Sequence, residues 1–405
     1  MQLRRDEAEP RVTTVIWVGG TSALARTYFD EVHPTVRDRL HIVVAAPALP
    51  SWTLPKVGVS FVALDLLDVK SVDSFFSRPE LLDTYRTGPS VMIIGVRLSL
   101  VWAGSRQSTL AAHLGRLISR AAVAGCLGVV HISSVAVADH VVSQHNVSES
   151  APLPALDAYH SDYDRFKRLS EVIVDDECTK ANERAALSGE TRMMVWTHLR
   201  ISGIFSNDPA CIQCTAVRNQ AYISAYSSTC IDFNSSANVS HAITLLVERI
   251  VRVVTALPAS ADPSVPVECA ANLDGRRVQR VYYYTRATTA PVPYGALVAD
   301  YRSAHGIQYG VWLPEILYLG FVRCVQALCA LCRWLALARS VAYLLAVSVA
   351  DHTFDCSRFR EDFPEMQARE ESIRECFVRI RQRQEEALAL SRADALSRSD
   401  TAKLG

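Results

Sequence analysis

The clearest chemical signal in the sequence is a tyrosine followed four positions later by a lysine, Tyr163 and Lys167 in YDRFK. On a helix, positions i and i+4 share a face, so the ammonium can lie beside the phenol. A nearby cation stabilises a phenolate and suits the tyrosine to accept a proton. With 14 tyrosines and five lysines in 405 residues, chance gives about 0.2 such pairs. The pair predicts acid–base chemistry, and the alternative is an ordinary helix face.

Two serines end an apolar run that precedes this pair in the chain. The run Gly128–Ile132 predicts a buried strand, and Ser133 and Ser134 follow it. A hydroxyl at the carboxyl end of a parallel strand could hold a substrate oxygen beside the phenol. The strand, the serines and the downstream Tyr163 together favour a catalytic site over a plain helix face.

A turn near the start of the chain has the position of a phosphate-binding loop. Arg11–Val18 predicts a strand, and the residues after Gly19 predict a helix. Glycines there let the backbone approach a pyrophosphate, and the helix start supplies N–H groups and a positive dipole. A dinucleotide turn of this kind reads G-x-x-G-x-x-G, whereas this chain reads Gly19-x-x-Ser22-x-x-Ala25. Both replacements are small, so a dinucleotide can still be accommodated.

Two further positions bear on the nucleotide. Asp65 follows the third predicted strand, where a carboxylate can hydrogen-bond an adenine; it could equally be the N-terminal carboxylate of a helix. The second strand ends in Ala45 and Ala46, without the acidic residue that would bind a ribose 2′-hydroxyl. The choice between NAD and NADP therefore stays open.

The elements that must position these residues form an α/β pattern. Near-continuous apolar runs alternate with helical stretches, which predicts a doubly wound parallel sheet of the Rossmann type over residues 1–205. A smaller α+β substrate-binding region is expected over 206–310. The predicted strands are Arg11–Val18, His41–Ala46, Val57–Leu64, Ser90–Gly95, Gly128–Ile132 and Met193–Leu199.

Residues 311–350 are strongly apolar, but Glu315, Arg323, Arg333 and Arg339 interrupt them. The uncharged stretches are too short for a single span of about 20 residues. A helix or hairpin lying in a membrane interface fits better, with arginines reaching the head groups. The alternative is a buried helical pair that covers the active site.

The C-terminal region, 351–405, differs from this stretch in composition. Glu365–Leu390 is highly charged, with Ile373, Phe377 and Ile380 at helical spacing. This pattern predicts a solvated amphipathic helix. The polar residues 391–405 that follow are expected to form a disordered tail.

Composition excludes several classes of protein. Lys+Arg and Asp+Glu both total 42, so there is no basic excess for nucleic-acid binding. The start of the chain lacks a signal-peptide pattern, and the eleven cysteines then suit a reduced, cytosol-facing compartment. The C-x-x-C pairs at 211–214 and 329–332 have zinc-knuckle spacing. The first lacks a nearby histidine and the second lies in an apolar stretch, so no metal site is expected.

The chain resembles the extended short-chain dehydrogenase/reductases, and within them the 3β-hydroxysteroid dehydrogenase branch, which includes sterol-4α-carboxylate 3-dehydrogenases (decarboxylating). The resemblance covers nearly the whole chain. Besides YDRFK, it rests on VVHISSVAV (129–137), LRISGIF (199–205), IDFNSSANVSHAITLL (231–246), TTAPVPYGALV (288–298) and DHTFDCSRFREDF (351–363).

This resemblance implies NAD(P)-dependent oxidation of the 3β-hydroxyl of a sterol or steroid, with Ser134, Tyr163 and Lys167 as the catalytic set. It also implies an apolar small-molecule substrate, a homodimer, and attachment to a membrane, that of the endoplasmic reticulum, with the catalytic domain facing the cytosol. The residues expected to contact the dinucleotide are Gly19, Gly20, Thr21, Ser22, Ala23, Leu24, Asp65, Leu66, Lys167, Ile201 and Gly203.

The sequence departs from the family at several positions. Two glycines of the turn are replaced, Ile201 stands where a proline is usual, and Ala112 stands where an asparagine is usual. Two alternatives therefore stay open. One is a non-catalytic, membrane-attached homologue with a decayed cofactor site, and the other is an NADP-dependent reductase of another apolar carbonyl compound.

Overall fold

The fold is taken from a computed structural model. It describes residues 12–50, 52, 54, 57–79, 81, 88–96, 106–138, 143–190, 193–206, 212–224, 228–256, 281–285, 291–308, 310–331 and 350–403.

A seven-stranded parallel sheet forms the centre of the molecule. Its strands are β1 (Thr13–Val18), β2 (Leu40–Ala46), β3 (Val59–Ala63), β4 (Ser90–Ile94), β5 (Gly128–Ser134), β7 (Val195–Ile201) and β12 (Val281–Thr285). The spatial order is β12-β7-β5-β4-β1-β2-β3. The predicted doubly wound sheet is therefore confirmed, with shifted strand ends. The fifth strand extends through both serines, and the sixth begins and ends two residues later than predicted.

Helices cover both faces of this sheet and surround the smaller sheets. The described α-helices are α1 (Ala23–Thr27), α2 (His33–Val36), α3 (Val69–Phe75), α4 (Arg106–Val123), α5 (Asp162–Leu187), α6 (Ile212–Tyr222), α7 (Ser236–Ala256), α8 (Tyr294–His305), α9 (Glu315–Leu331), α10 (Ser357–Asp362) and α11 (Ile373–Lys403). A π-helical turn, Tyr28–Val32, joins α1 to α2.

The apolar runs are nearly continuous because the central strands are buried on both faces. Val15 and Trp17 belong to the core cluster on the face of α1 and α7. Ile16 and Val18 belong to the cluster on the face of α4 and α5. Alternating side chains of one strand thus hold two helical layers at once.

Smaller sheets lie beside the carboxyl ends of β5 and β7. Their strands are β6 (Gln144–Val147), β8 (Gly203–Phe205), β9 (Ile223–Ser224), β10 (Cys230–Ile231), β11 (Phe233–Ser235), β13 (Val292–Pro293), β14 (Val311–Trp312) and β15 (His352–Phe354). One sheet has the order β13-β10-β15-β6, and the pairs β11-β8 and β14-β9 are separate. The predicted boundaries at 205, 310 and 350 stay predictions. Within 206–310, β12 pairs with the large sheet and α7 packs on it.

The C-terminal helix corrects part of the sequence interpretation. Ile373, Phe377 and Ile380 are buried, as the helical spacing suggests, but they pack in a core cluster with Tyr301 of α8. The prediction of a disordered tail after residue 390 is wrong, because α11 continues to Lys403.

Helix α9 carries an exposed apolar stripe. Leu317, Phe321, Leu328 and Leu331 are each at least 60% exposed, and Val322 is the one fully buried side chain of this helix. The alternative of a buried helical pair that covers the active site therefore does not describe α9. The second half of the apolar stretch lies outside the described residues. Among the described helices, none has the length and apolar character needed to cross a bilayer.

Candidate active site at the carboxyl edge of the sheet

Helix α5 brings the tyrosine and the lysine to the carboxyl edge of the large sheet. Ser161 caps the helix by accepting a hydrogen bond from the Asp164 amide at 3.0 Å. Tyr163 therefore lies in the first turn, half-buried, and Lys167 lies one turn further on. The Lys167 ammonium is buried and donates to the Ile132 carbonyl at 2.8 Å and to the Val96 carbonyl at 3.1 Å. These two bonds fix the cation where β4 and β5 end.

Ser134 lies at the same edge, as the last residue of β5. It is buried, and its hydroxyl oxygen accepts from the Ala136 amide at 3.2 Å in the turn that follows. In the parallel ladder Ser134 is paired with Ile201, the last residue of β7. The structure thus brings the predicted Ser134, Lys167 and Ile201 to adjoining strand ends, with Tyr163 one helical turn before Lys167.

A second tyrosine near the site has a different role. Tyr159 is buried, and its hydroxyl donates to the Val137 carbonyl at 2.6 Å. Burial raises the pKa of Tyr159 above its ordinary value. The phenol therefore stays protonated and anchors the loop after β5, which leaves Tyr163 as the candidate base.

The turn after β1 requires a glycine at its first position. Gly19 has a φ of +79°, in the left-handed region that favours glycine. A Cβ there would lie 2.8 Å from the Gly95 carbonyl oxygen at the end of β4. The backbones after β1 and β4 therefore approach each other more closely than any side chain allows.

The two replaced glycines have taken on structural roles. Ser22 caps α1, because its hydroxyl accepts from the Ala25 amide at 3.3 Å. Ala25 is fully buried in the core cluster between helix and sheet. The four other predicted turn residues, Gly20, Thr21, Ala23 and Leu24, follow Gly19 around this turn into α1.

We expect Gly19→Ala to be more destabilising than Gly189→Ala. Both glycines have positive φ, but a Cβ on Gly189, at φ +72°, would meet nothing within 4 Å. The control should lose ~1–2 kcal/mol of unfolding free energy for the left-handed conformation alone. Gly19→Ala should lose a further ~1–3 kcal/mol, because the clashing neighbour is backbone. Urea unfolding of the two variants measures the difference, and equal losses would contradict the close approach.

The other predicted nucleotide contacts lie on neighbouring loops. The Asp65 carboxylate accepts from the Leu67 amide at 2.8 Å, so it stabilises its own turn, while Asp68 caps α3. Leu66 is buried, and its carbonyl lies 2.7 Å from His113 Nδ1 on α4. A contact from Asp65 to adenine stays a prediction.

Gly203 begins β8, beyond β7, where β8 pairs with β11. The β8–β11 pair, one of the smaller sheets, therefore begins directly after β7, beside the candidate site. Ala112, at the position where the family has an asparagine, is exposed within a continuous α4. Its methyl group offers no polar atom for a relay.

Sequence reasoning missed a buried ion pair directly behind the site. Glu171 of α5 and Arg200 of β7 are both buried and form two hydrogen bonds of 2.9 Å. The Ser133 hydroxyl donates to the same carboxylate at 2.6 Å. Burial alone would raise the pKa of Glu171, but Arg200 and Ser133 lower it below its ordinary value. The signal in the sequence that could have revealed this ion pair was the occurrence of polar residues at alternate positions of otherwise apolar strands.

Among the described residues, no group of three or more His, Cys, Asp or Glu side chains could hold a metal ion. Cys214 is buried in the core cluster of α6 and α8. Cys211 and Cys332, the other members of two C-x-x-C pairs, lie outside the described residues.

No known family profile matches the chain, and no curated protein matches it. Solved structures do. The structure of gox2253 has a TM-score of 0.61 at 14% identity, covering 93% of this chain and 98% of its own. The dTDP-glucose 4,6-dehydratase of Bacillus anthracis in complex with NAD has a TM-score of 0.57 at 10% identity, covering 93% and 97%.

The UDP-N-acetylglucosamine 4-epimerase of Bacillus cereus has a TM-score of 0.56 at 10% identity, covering 91% of this chain and 97% of its own. At such identities the likeness establishes the fold alone, an α/β fold built on a doubly wound parallel sheet of the Rossmann type. The α/β fold implied by the sequence resemblance is therefore confirmed, while membership of the extended short-chain dehydrogenase/reductases and of their 3β-hydroxysteroid dehydrogenase branch stays a prediction.

Proposed function

We propose that the chain is an NAD(P)-dependent oxidoreductase that oxidises the 3β-hydroxyl of a sterol or steroid. The observation that carries the proposal is the buried Lys167 ammonium, fixed between the ends of β4 and β5 one helical turn after Tyr163. A cation at that place gives the phenol of Tyr163 the electrostatic support that a general base needs.

Two features of the turn at Gly19 fit a bound dinucleotide. The contact with Gly95 leaves a surface without side chains at the carboxyl edge, where such folds bind their cofactors. The indole N–H of Trp17 is buried, has no partner among the described residues, and would lie 3.1 Å from a Cβ on Gly95. The solved Bacillus anthracis dehydratase holds NAD. The nucleotide stays open because β2 ends in two alanines.

In the proposed reaction the bound nicotinamide supplies the hydride acceptor. Tyr163 accepts the proton of the substrate hydroxyl, Lys167 stabilises the phenolate, and Ser134 donates a hydrogen bond to the oxygen as it becomes a carbonyl. A substrate with a 4α-carboxylate would become a β-keto acid, which loses carbon dioxide without a further catalytic group.

The test is equilibrium binding of NAD(H) and NADP(H), followed by quenching of tryptophan fluorescence, because Trp17 lies beneath the turn. We expect micromolar binding of one nucleotide, followed by turnover with a 4-carboxysterol. Failure of both nucleotides to bind folded protein at millimolar concentration would overturn the proposal in favour of the non-catalytic homologue. Binding with turnover of another apolar ketone would favour the reductase.

We also propose that α9 attaches the protein to a membrane surface, that of the endoplasmic reticulum, with the site facing the cytosol. The support is the spacing of Leu317, Phe321, Cys324, Leu328 and Leu331, four and three residues apart in turn, which places exposed apolar groups on one helix face. A face of this kind binds at the level of the lipid head groups. A sterol could then reach the site without crossing water.

We expect Phe321→Gln/Leu328→Gln to weaken binding to phosphatidylcholine vesicles by about tenfold or more per side chain, since burying such a group contributes ~1.5–3 kcal/mol. The control is Val123→Gln/Leu187→Gln, which changes two apolar residues elsewhere that are even more exposed. Co-sedimentation measures the effect. Equal binding by both variants, or a dimer that dissociates only in the α9 variant, would contradict attachment through α9.

A further inference from the structure

A continuous chain of buried polar side chains lies behind the Lys167 ammonium. His198 Nε2 lies 3.0 Å from Asp175 Oδ1, and the Nδ1 atoms of His198 and His131 are 2.9 Å apart. His131 Nε2 lies 3.1 Å from the Ser170 hydroxyl, which lies 2.8 Å from the Lys167 carbonyl oxygen. All these residues are buried. The histidine chain, Asp175–His198–His131–Ser170, thus ends on the main chain of Lys167.

This arrangement follows from the sheet register. His131 of β5 and His198 of β7 are direct partners in the parallel ladder, so both side chains point to the face that α5 covers. Ser170 lies one turn beyond Lys167, and Asp175 lies further along the same helix. The chain therefore joins two strands to the helix that carries the candidate catalytic pair.

Counting protons distinguishes two states of the chain. Trp196 donates to the same Asp175 oxygen at 2.8 Å, so the carboxylate accepts and His198 Nε2 carries a proton. Between the two Nδ1 atoms there must be one proton, because two bare lone pairs would repel. If His131 holds it, His131 Nε2 must accept from Ser170. The Ser170 hydroxyl oxygen then faces the Lys167 carbonyl without a proton between them.

One additional proton satisfies each of the four contacts of the histidine chain named above. His198, protonated on both nitrogens, donates to Asp175 and to His131 Nδ1. His131 then donates through Nε2 to Ser170, and Ser170 donates to the Lys167 carbonyl. The short distance from Ser170 to that carbonyl oxygen favours this state, because a distance of 2.8 Å is that of a hydroxyl hydrogen bond.

We propose that His131 and His198 are positioning residues for Lys167. In this proposal the histidine chain holds one additional proton, the stored proton, which resides on His198 and keeps the whole chain of hydrogen bonds in place. The inference rests on the proposed function for the role of Lys167. Three adjoining contacts then attach α5 to β5: Ser170 to His131, Lys167 to the Ile132 carbonyl, and Glu171 to Ser133. Loss of the stored proton would turn the Ser170 hydroxyl away from the turn that carries Lys167.

The charges around the chain support a neutral His131. Burial lowers the pKa of His131 well below its ordinary value, and the positive charges of His198, Lys167 and Arg200 lower it further. The charged groups that face the pair are Lys167, Arg168, Glu171 and Asp175 from α5 and Arg200 from β7. The neighbouring Cys178 stays a neutral thiol, because burial raises its pKa well above the usual range.

The first test needs no cofactor, and variants only to assign the resonances. In the full chain labelled with 15N-histidine, long-range 15N–1H spectra at pH 7 report which ring nitrogens carry protons. We expect His198 to be protonated on both nitrogens and His131 on Nε2 alone, each resonance being assigned by a single His→Gln variant. A proton on His131 Nδ1, with His198 protonated on Nε2 alone, would overturn the proposal.

The second test removes the last link. Ser170→Ala should release the stored proton from His198 Nδ1, place the single His131 proton on Nδ1, and shift the 13Cε signal of Lys167, one of five lysines. The control, Ser240→Ala, removes an equally buried helical hydroxyl that donates to the Ser236 carbonyl at 2.6 Å on α7. It should change neither signal. Unchanged spectra in Ser170→Ala, or the same changes in both variants, would overturn the proposal.

Positioning has its own readout in cofactor binding. We expect Ser170→Ala to weaken dinucleotide binding about fivefold at pH 7, the effect of losing one hydrogen bond, and Ser240→Ala to leave it unchanged. Equal dissociation constants for wild type and Ser170→Ala would overturn the positioning role. If the wild type binds no dinucleotide, the proposed function fails, while the two spectroscopic tests still decide whether the chain holds its proton.

Discussion

Tyr163→Phe should reduce turnover of a hydroxyl-bearing substrate by about 10²–10⁴-fold, the usual contribution of a positioned general base. The change removes only the phenolic oxygen, and the Lys167 ammonium keeps its bonds to the Ile132 and Val96 carbonyls. We therefore expect the dissociation constant for the dinucleotide to stay within about twofold of wild type. Steady-state kinetics and fluorescence titration of the same preparation separate the two effects.

The matched control is Tyr159→Phe, four positions earlier in the chain. That hydroxyl is buried and donates to the Val137 carbonyl, so its loss should cost ~0.5–1.5 kcal/mol of unfolding free energy and leave turnover unchanged. Similar turnover in wild type and Tyr163→Phe would show that another group takes the proton. Loss of turnover in both variants would mean that the loop after β5 carries the effect.

Arg200→Met should be among the most destabilising single changes in the chain. It leaves the Glu171 carboxylate buried without its two-bonded guanidinium partner, with Arg168 at 3.3 Å and the Ser133 hydroxyl remaining. Breaking a buried pair from one side costs ~3–5 kcal/mol. The surface control is Arg39→Met, whose pair with Glu248 is exposed and should contribute at most ~1 kcal/mol. Urea unfolding compares the two.

A double variant, Glu171→Gln/Arg200→Met, completes the cycle. Because it removes both charges, it should regain part of the stability that Arg200→Met loses. If the single and double variants are equally unstable, the packing of the arginine stem would account for the loss.

The same pair predicts how stability depends on pH. The folded-state pKa of Glu171 lies below its unfolded value near 4.5, so its contribution is complete above that value and is lost as the pH falls through the folded pKa. In Arg200→Met, Glu171 loses its main partner but keeps the Arg168 guanidinium at 3.3 Å and the Ser133 hydroxyl, so the pKa of Glu171 should rise towards its unfolded value and less stability should be lost as the pH falls. Unfolding curves between pH 3 and 8 test this difference, and parallel curves for the two proteins would contradict it.

The sequence by itself determined six of the seven strands of the large sheet and the candidate catalytic residues. Strands of a doubly wound sheet are buried on both faces, so apolar runs reveal them locally, and the ends of the six predicted strands were displaced by a few residues. The seventh strand, β12, was not predicted. The spacing of Tyr163 and Lys167 is likewise a local property of one helix. The serines at the end of β5 needed only the strand before them.

Only the tertiary structure decided which distant polar residues meet. The contacts of His131 with His198 and of Glu171 with Arg200 depend on the register of β5 with β7 and on how α5 lies across them. The C-terminal strand β15 inserts between β6 and β10, far from both in sequence. Periodicity encodes the face that a residue presents within its own element. The partner on that face is set by packing between elements, which no local pattern contains.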